Sequence, residues 1–392
     1  MKKGWPTKTL GDVCQLISGQ HIDAKDYNTE SRGVGYLTGP SDFGPLNPVI
    51  TKWTEHPKVK AKRGDVLITV KGSGVGKINL LDEDEVAISR QLMAVRVTGA
   101  EPSFVHAILS STFDHFQSLS TGAAIPGISR EQVLGLTIAL PPLAEQQRIV
   151  GLLDEAFEGL ATAKANAEKN LQNARALFES HLQSVFTQRG PGWVEKSLGD
   201  VCEVFADGDW VESKDQSSEG IRLIQTGNVG EGLFKDRAEK ARYISEATFK
   251  RLRCTEIFEG DCLVSRLPDP VGRSCILPDT GERMITAVDC TILRFNPKQL
   301  LPTFFNHYSQ SDDYLTTVAN ECTGTTRNRI SRSNLGLTPI PVPPLAEQQR
   351  IVAKLDRLSE ETQRLARLYE RKLAALEALK KSLLHKAFTG KL

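Results

Sequence analysis

The residues of this chain that could do chemistry sit in a few short stretches, the first being Lys71-Gly72-Ser73-Gly74-Val75-Gly76-Lys77. Glycines between lysines are the raw material of a phosphate-cradling loop. The stretch departs from that pattern twice: Lys71 stands where glycine is required, and Ile78 where Ser or Thr would ligate magnesium. A related stretch, Leu267-Pro268-Asp269-Pro270-Val271-Gly272-Arg273, keeps only Val-Gly and a basic residue. Both read as β-turns between strands, with Lys77 and Arg273 still able to touch a DNA phosphate. The most basic short stretch of the globular parts runs from Thr323-Gly324 through Arg327-Asn328-Arg329 to Ile330-Ser331-Arg332. Its counterpart runs from Thr121-Gly122 to Ile128-Ser129-Arg130, so the frame is shared and the inner residues differ. Arg and Asn suit bidentate reading of guanine and adenine edges, and Ala or Ile suits contact with a thymine methyl. Solvated loop charge is the other reading. No Gly-x-Ser-x-Gly, His-Glu-x-x-His or Asp/Asn-Pro-Pro-Tyr/Phe segment is present, and no nucleophile–base pair stands out.

Composition narrows the classes. With 392 residues, 40% of them hydrophobic, the chain can bury two or three cores. Its start lacks the apolar stretch of a signal peptide, and no run approaches the roughly 18 apolar residues of a membrane span. Seven cysteines without Cys-x-x-Cys point to a reduced, cytoplasmic protein, and seven scattered histidines form no zinc spacing. Net charge is +1, with 15 basic against 14 acidic residues in 1–140 and 18 against 22 in 190–342. Neither part is basic enough to hold nucleic acid by bulk electrostatics, so DNA binding would depend on local clusters or on partner subunits.

These stretches are positioned by a duplicated chain. Pro-Pro-Leu-Ala-Glu-Gln-Gln-Arg-Ile-Val occurs at Pro141–Val150 and again at Pro343–Val352. Gly4-Trp5 and Leu10-Gly11-Asp12-Val13-Cys14 return as Gly192-Trp193 and Leu198-Gly199-Asp200-Val201-Cys202, an offset of 188. Thr38-Gly39 matches Thr226-Gly227 at that offset, Gly64-Asp65 matches Gly260-Asp261 at 196, and everything from Thr121-Gly122 to Phe186-Thr187 repeats at 202. The second copy has gained 14 residues between the matches of Gly39 and Gly122, and none afterwards. An ungapped helical region beside a variable globular region suggests a fixed scaffold with two differing readers.

Each globular part reads as mixed α and β. Strands are expected at Val66–Val70, Leu92–Val97 and Thr291–Phe295, and helices around Ser103–Leu119 and Pro302–Ala319. Residues 143–187 and 345–389 contain no proline and follow one helix-starting Pro-Pro each. One apolar seam is leucine-rich (Ile351, Leu355, Leu358, Leu365, Leu376, Leu379, Leu383), with Thr362, Tyr369 and Lys372 completing its register. The other is alanine-rich (Ile149, Leu153, Ala156, Leu160, Ala163, Ala167, Ala174, Leu177), with Asn170 and His181 in register. Small against large favours close pairing, so an antiparallel coiled coil is expected, each helix about 65 Å long. Phe388-Thr389 would then return to the start of the chain as Phe186-Thr187 leads into the second copy, giving a circular, pseudo-two-fold α+β architecture. The boundaries expected are 1–140, 141–189, 190–342 and 343–392. Glu145-Gln146-Gln147-Arg148 and Glu347-Gln348-Gln349-Arg350 lie at the helix starts. Capping, or docking of two copies of one partner, would each explain their identity.

The whole chain resembles the specificity subunits of type I restriction–modification systems. The resemblance rests on the Gly-Trp to Leu-Gly-Asp-Val opening, the Thr-Gly to Ile-Ser-Arg segment, the twice-used proline-led helix start and the Phe388-Thr389-Gly390-Lys391-Leu392 end. It implies a non-catalytic subunit with two target-recognition domains (1–140 and 190–342), each reading half of a split double-stranded DNA sequence. The helices would act as a ruler and carry two methylation subunits, joined by restriction–translocation subunits. S-adenosylmethionine, ATP and magnesium would belong to those partners, with no cofactor in this chain. Expected DNA contacts are Lys71, Lys77, Arg90 and Arg130 in the first module. In the second they are Arg266, Arg273, Arg327, Asn328, Arg329 and Arg332. The rival reading is a scaffold that bridges two proteins without DNA.

Overall fold

The two proline-free runs form helices at Leu143–Thr187 and Leu345–Thr389, 45 residues each, in a computed structural model that describes residues 5–120, 126–324 and 328–392. The chain divides into two compact units, residues 1–168 with 370–392, and residues 169–369. Each unit holds part of both helices, and in each they run antiparallel. In the first, Lys164 Nζ meets Glu377 Oε1 at 2.9 Å, and Arg148, near the start of its helix, donates to the carbonyl of Leu392 at 3.3 Å. In the second, His181 lies beside Lys354 and Leu358, and Ala174 beside Thr362.

The buried seam starts as expected and then slips by one residue. Ile149, Leu153, Ala167 and Ala174 are buried, but Asn170 and Leu177 are exposed while Leu182 and Phe186 are buried. Along the second helix Ile351, Leu355 and Thr362 are buried, whereas Lys372 and Leu379 face solvent and Leu384 and Ala387 are buried. A strict seven-residue register drifts about 20° per heptad around a straight helix, so after several turns the neighbouring residue takes the seam.

Both modules repeat one plan. In the first unit an antiparallel sheet has the order Cys14–Ser18, Leu92–Val97, Val66–Thr69, Ile78–Leu80. A second sheet has the order Trp53–Thr54, Val34–Leu37, Glu85–Ile88, Lys60–Lys62, with its central pair parallel. In the second unit Cys202–Asp207, Cys290–Phe295, Cys262–Ser265 and Ser274–Ile276 form the first sheet. Five short strands there form the second, around the parallel pair Ile221–Ile224 and Met284–Thr286. The helical stretches expected at 103–119 and 302–319 each break in two. Pro302–Tyr308 ends before Ser311, whose side chain caps Asp312–Asn320 by accepting from Tyr314 N. In each unit an arginine grips a buried carboxylate, Arg96 on Asp65 and Arg294 on Asp261, both at 2.7 Å.

A buried amide joins module to helix in both units. Gln146 accepts from the backbone N–H of Glu101 (2.8 Å) and donates to the Pro141 carbonyl (2.7 Å). Gln348, fully buried, accepts from Leu301 N and donates to the carbonyls of Gln299 and Pro343, all at 2.8 Å. These two glutamines are therefore struts, and their expected role in partner docking is corrected. In both copies the amide supplies a donor and an acceptor at once, on a stem long enough to reach backbone groups that would otherwise be buried unpaired. Beside them Glu145–Arg148 (2.7 Å) and Glu347–Arg350 (2.6 Å) pair one turn apart, while Gln147 and Gln349 are exposed.

The chain end completes the first unit as the inter-module peptide completes the second. Phe186 stacks edge-on against Phe304 with ring centroids 5.6 Å apart, and Phe388 does the same against Phe104. Leu392 and Trp5 pack on the core that holds Phe104. Replacing Gln348 with Ala should cost about 2–4 kcal/mol, since it strands buried backbone groups. Gln349→Ala should be neutral. Thermal unfolding of the two full-length variants checks this, and equal stability would remove the strut.

Candidate nucleic-acid interface

In the first unit the expected cationic loops are laced together by their own backbones. Val70 N donates to Gln91 O (2.8 Å), Ile128 N to Val70 O (3.0 Å) and Gly72 N to Pro126 O (2.9 Å). Residues 70–77, 89–91 and 126–130 thus share one edge, and Pro40 joins them against Gly74. Lys71, Lys77 and Arg90 are exposed there, with no carboxylate partner among the described residues. Within the loop Val75 N bonds Gly72 O, Gly76 N bonds Thr69 O and Lys77 N bonds Gly74 O. With those N–H groups spent internally, the loop is a turn and no phosphate cradle, as the sequence implies. Arg130 opens the helix Arg130–Leu134, but its guanidinium is tied to Ser18 Oγ (2.7 Å) and Leu16 O (2.8 Å).

The second unit keeps two of these three bonds, Arg266 N to Asp289 O (2.9 Å) and Ile330 N to Arg266 O (3.4 Å), loses the third at Pro268, and uses its arginines differently. Arg273, only 8% exposed, donates to the carbonyls of Val229 (2.8 Å), Leu267 (2.7 Å), Pro270 (2.9 Å) and Thr226 (3.0 Å). Arg266, also buried, reaches Val288 O (2.6 Å) and Ile330 O (3.4 Å) and lies 3.2 Å from Asp207. Burial lowers the pKa of both below the ordinary guanidinium value. Both were expected to touch DNA, and that expectation is corrected: both are buried, Arg273 on four carbonyls and Arg266 on Val288, Ile330 and Asp207, with the Arg266 Nε left without a partner. Arg273 replaces the exposed Lys77 because a planar fork can serve several carbonyls at once, which an ammonium on a flexible stem cannot.

What remains exposed on the loop cluster is Asn328, Arg329 and Arg332. Arg329 lies 3.2 Å from Asp289 and bridges Thr323 through its backbone, and Arg332 opens the helix Arg332–Leu337 behind the Ser331 cap. Arg327 lies outside the described residues. The sequence reading overlooked Arg237, Lys240 and Arg242, which lie between Gly227 and Gly260 where the second copy is longer, the one signal that could have found them. It also overlooked Trp210, 69% exposed on the loop that Asp209 fastens to Thr286 and Val288. Desolvation raises the Asp209 carboxyl to about 6, opposed by the N–H of Thr255 at 3.1 Å. Among the described residues no group of three or more His, Cys, Asp or Glu is placed to hold a metal, and no helix is long and apolar enough to cross a membrane.

Each unit therefore couples a loop-bearing α+β module to an antiparallel helix pair, the plan of a duplicated recognition subunit. The chain belongs to the family described as the type I restriction modification DNA specificity domain, which matches residues 2–171 and again 191–371. It is 28% identical over 175 residues to the putative type I restriction enzyme MjaX specificity subunit of Methanocaldococcus jannaschii, covering 44% of this chain and 40% of that protein. It is 22% identical to the type I restriction enzyme EcoBI specificity subunit of Escherichia coli, over 75% of this chain and 64% of that one. With the EcoKI specificity subunit of Escherichia coli K12 the identity is 24%, over 70% and 62%. The matches thus span less than two thirds of each relative's length. The fold is shared with a chain solved in work on complex assembly and conformational transition of the type I R-M system (TM-score 0.80, 24% identity, 100% of this chain and 99% of that one). It is also shared with the HsdS subunit from Thermoanaerobacter tengcongensis (TM-score 0.66, 23% identity, 100% and 98%).

Two predictions separate fastening from contact. Arg273→Ala should lower stability by about 3 kcal/mol or more, and Lys77→Ala by less than about 0.5 kcal/mol, read from thermal melts. Because the folded Asp209 carboxyl titrates above its unfolded value, its contribution to stability is full below about pH 4 and is lost as pH rises through about 6. Asp209→Asn should flatten the pH dependence of stability over that window, and an unchanged profile would count against the assignment.

Proposed function

We propose that this chain is the non-catalytic specificity subunit of a type I restriction–modification complex, reading a bipartite double-stranded DNA target with one half-site per module. Residues 1–140 and 190–342 act as the two target-recognition domains. Residues 141–189 and 343–392 set the gap between half-sites and dock two methylation subunits, with restriction–translocation subunits joining them. S-adenosylmethionine, ATP and magnesium then enter through those partners. The observation that carries this reading is the double family match on a chain whose two copies keep one framework and diverge in their exposed loops. Glu145, Gln147 and Arg148, with their repeats Glu347, Gln349 and Arg350, offer two like surfaces for two like partners.

Near-neutral charge fits this division of labour, because the bulk of the phosphate attraction comes from the assembled complex. Co-expression with a methylation subunit, followed by genome-wide mapping of methylated adenines, should return a split motif with a constant gap. A well-formed complex with random or absent methylation would favour the bridging scaffold. Adding about seven residues, two helical turns, to both long helices should lengthen the gap. Replacing Asn328 and Arg329 with Ala should alter recognition of one half-site only. An unchanged gap, or unchanged specificity, overturns the corresponding assignment.

A further inference from the structure

The Thr-Gly pair shared by the two modules is a seat for a side chain from another loop. In the first module buried Asp42 accepts from Thr38 N (2.6 Å) and Thr38 Oγ1 (2.8 Å), fixing the turn Pro40–Asp42. In the second, buried Asn228 accepts from Gln225 N and donates to Lys235 O, both at 2.9 Å. A Cβ on Gly39 would collide with Oε1 of Gln91, and a Cβ on Gly227 would lie 2.7 Å from Nη1 of Arg237. In each copy the far end of a long side chain thus lies directly over the glycine of the turn, and the guest differs between the copies. Each guest is exposed, and neither has a side-chain hydrogen bond or ion pair among the described residues. The carboxylate adjacent to Arg237, Asp236, is already held by Arg222.

The surroundings suit nucleic acid. Around Gly227 lies an open concavity of about 440 Å³ lined by Gln225, Arg237, Lys240 and Arg242 among others, with no carboxylate in its wall. Beside Gly39, Lys52 Nζ stands 3.5 Å from Thr38 Oγ1, and Pro40 and the Lys77 stem both lie close to Gly74. An amide and a guanidinium, each lying over its glycine with its donors unspent, are side chains of the kinds that read adenine and guanine edges in bidentate fashion.

We propose that the Thr-Gly turn presents the base-reading side chain of each module: Gln91 reads an adenine in one half-site and Arg237 a guanine in the other. Lys240 and Arg242 hold the phosphates beside the second. This rests on the chain being a DNA specificity subunit.

The test uses the full chain assembled with its methylation subunit. It combines methylated-site maps with binding to duplexes in which each position of the mapped motif is varied in turn. Arg237→Gln should erase about ten- to hundredfold of preference for guanine at one position of one half-site, leaving the other half-site and the gap intact. Gln91→Arg should do the same at an adenine of the opposite half-site. Lys240→Ala should weaken binding equally for all sequences and reduce the salt slope by about one. Unaltered base preference in Arg237→Gln and Gln91→Arg overturns the proposal. So does a sequence-independent loss in Arg237→Gln, which would make it a phosphate clamp, or failure of either variant to assemble, which would make the side chain a strut. If the wild-type complex itself yields no split motif, the underlying functional reading falls, a result seen without any variant.

Discussion

Where a 45-residue helix leaves a loop-rich module, the module's backbone groups buried at the junction must find partners, which apolar contact alone does not supply. Gln146 and Gln348 meet that constraint. Each amide accepts from the last N–H before a module helix and donates to the proline carbonyl before the long one. Ile149 with Leu153, and Ile351 with Leu355, then bury the next turns in the module cores. The angle at which helix leaves module is thereby set twice by the same chemistry, and the decapeptide Pro-Pro-Leu-Ala-Glu-Gln-Gln-Arg-Ile-Val survives intact in both copies.

With that joint fixed, the second closure of each unit follows. Phe186 reaches its aromatic pocket on Phe304 and Tyr308 just before the peptide continues into Trp193, while Phe388 reaches Phe104 at the chain's end. The peptide 186–193 carries the chain into the second module, and Phe388 with Leu392 packs on the core of the first. The chain end thereby takes the place that a linker fills in the second unit, and the two units are built alike from differently connected pieces.

The arginines divide by function once burial is known. Arg273 and Arg266 spend their donors on backbone carbonyls and shape the loops of the second module. Arg237, Arg242 and Arg332 are exposed, and Arg329 is only loosely engaged by Asp289. In the first module the corresponding edge is held by backbone bonds and Arg130, leaving Lys71, Lys77 and Arg90 exposed. Two modules of one framework thus present different surfaces, as reading two different half-sites would require.

By itself the sequence determined the duplication, the two long helices within the proline-free runs, the strand cores at 66–69 and 92–97, and the return of the chain end to its beginning. These depend on local propensity, proline placement and repeat offsets, all written along the chain. The drift of the helical seam past Ala167 and Thr362 was hidden, because a heptad written on paper ignores the 3.6-residue turn. Tertiary structure alone decided which cations face solvent and which are buried. Lys77 and Arg273 occupy equivalent positions with opposite fates, since four carbonyls converge on one and none on the other. Gln91 meets Gly39 across loops 52 residues apart, and Arg237 folds back onto Gly227 within the connection that follows Ile221–Ile224. Such encounters depend on where the sheets bring distant turns together, and no spacing along the chain encodes that distance.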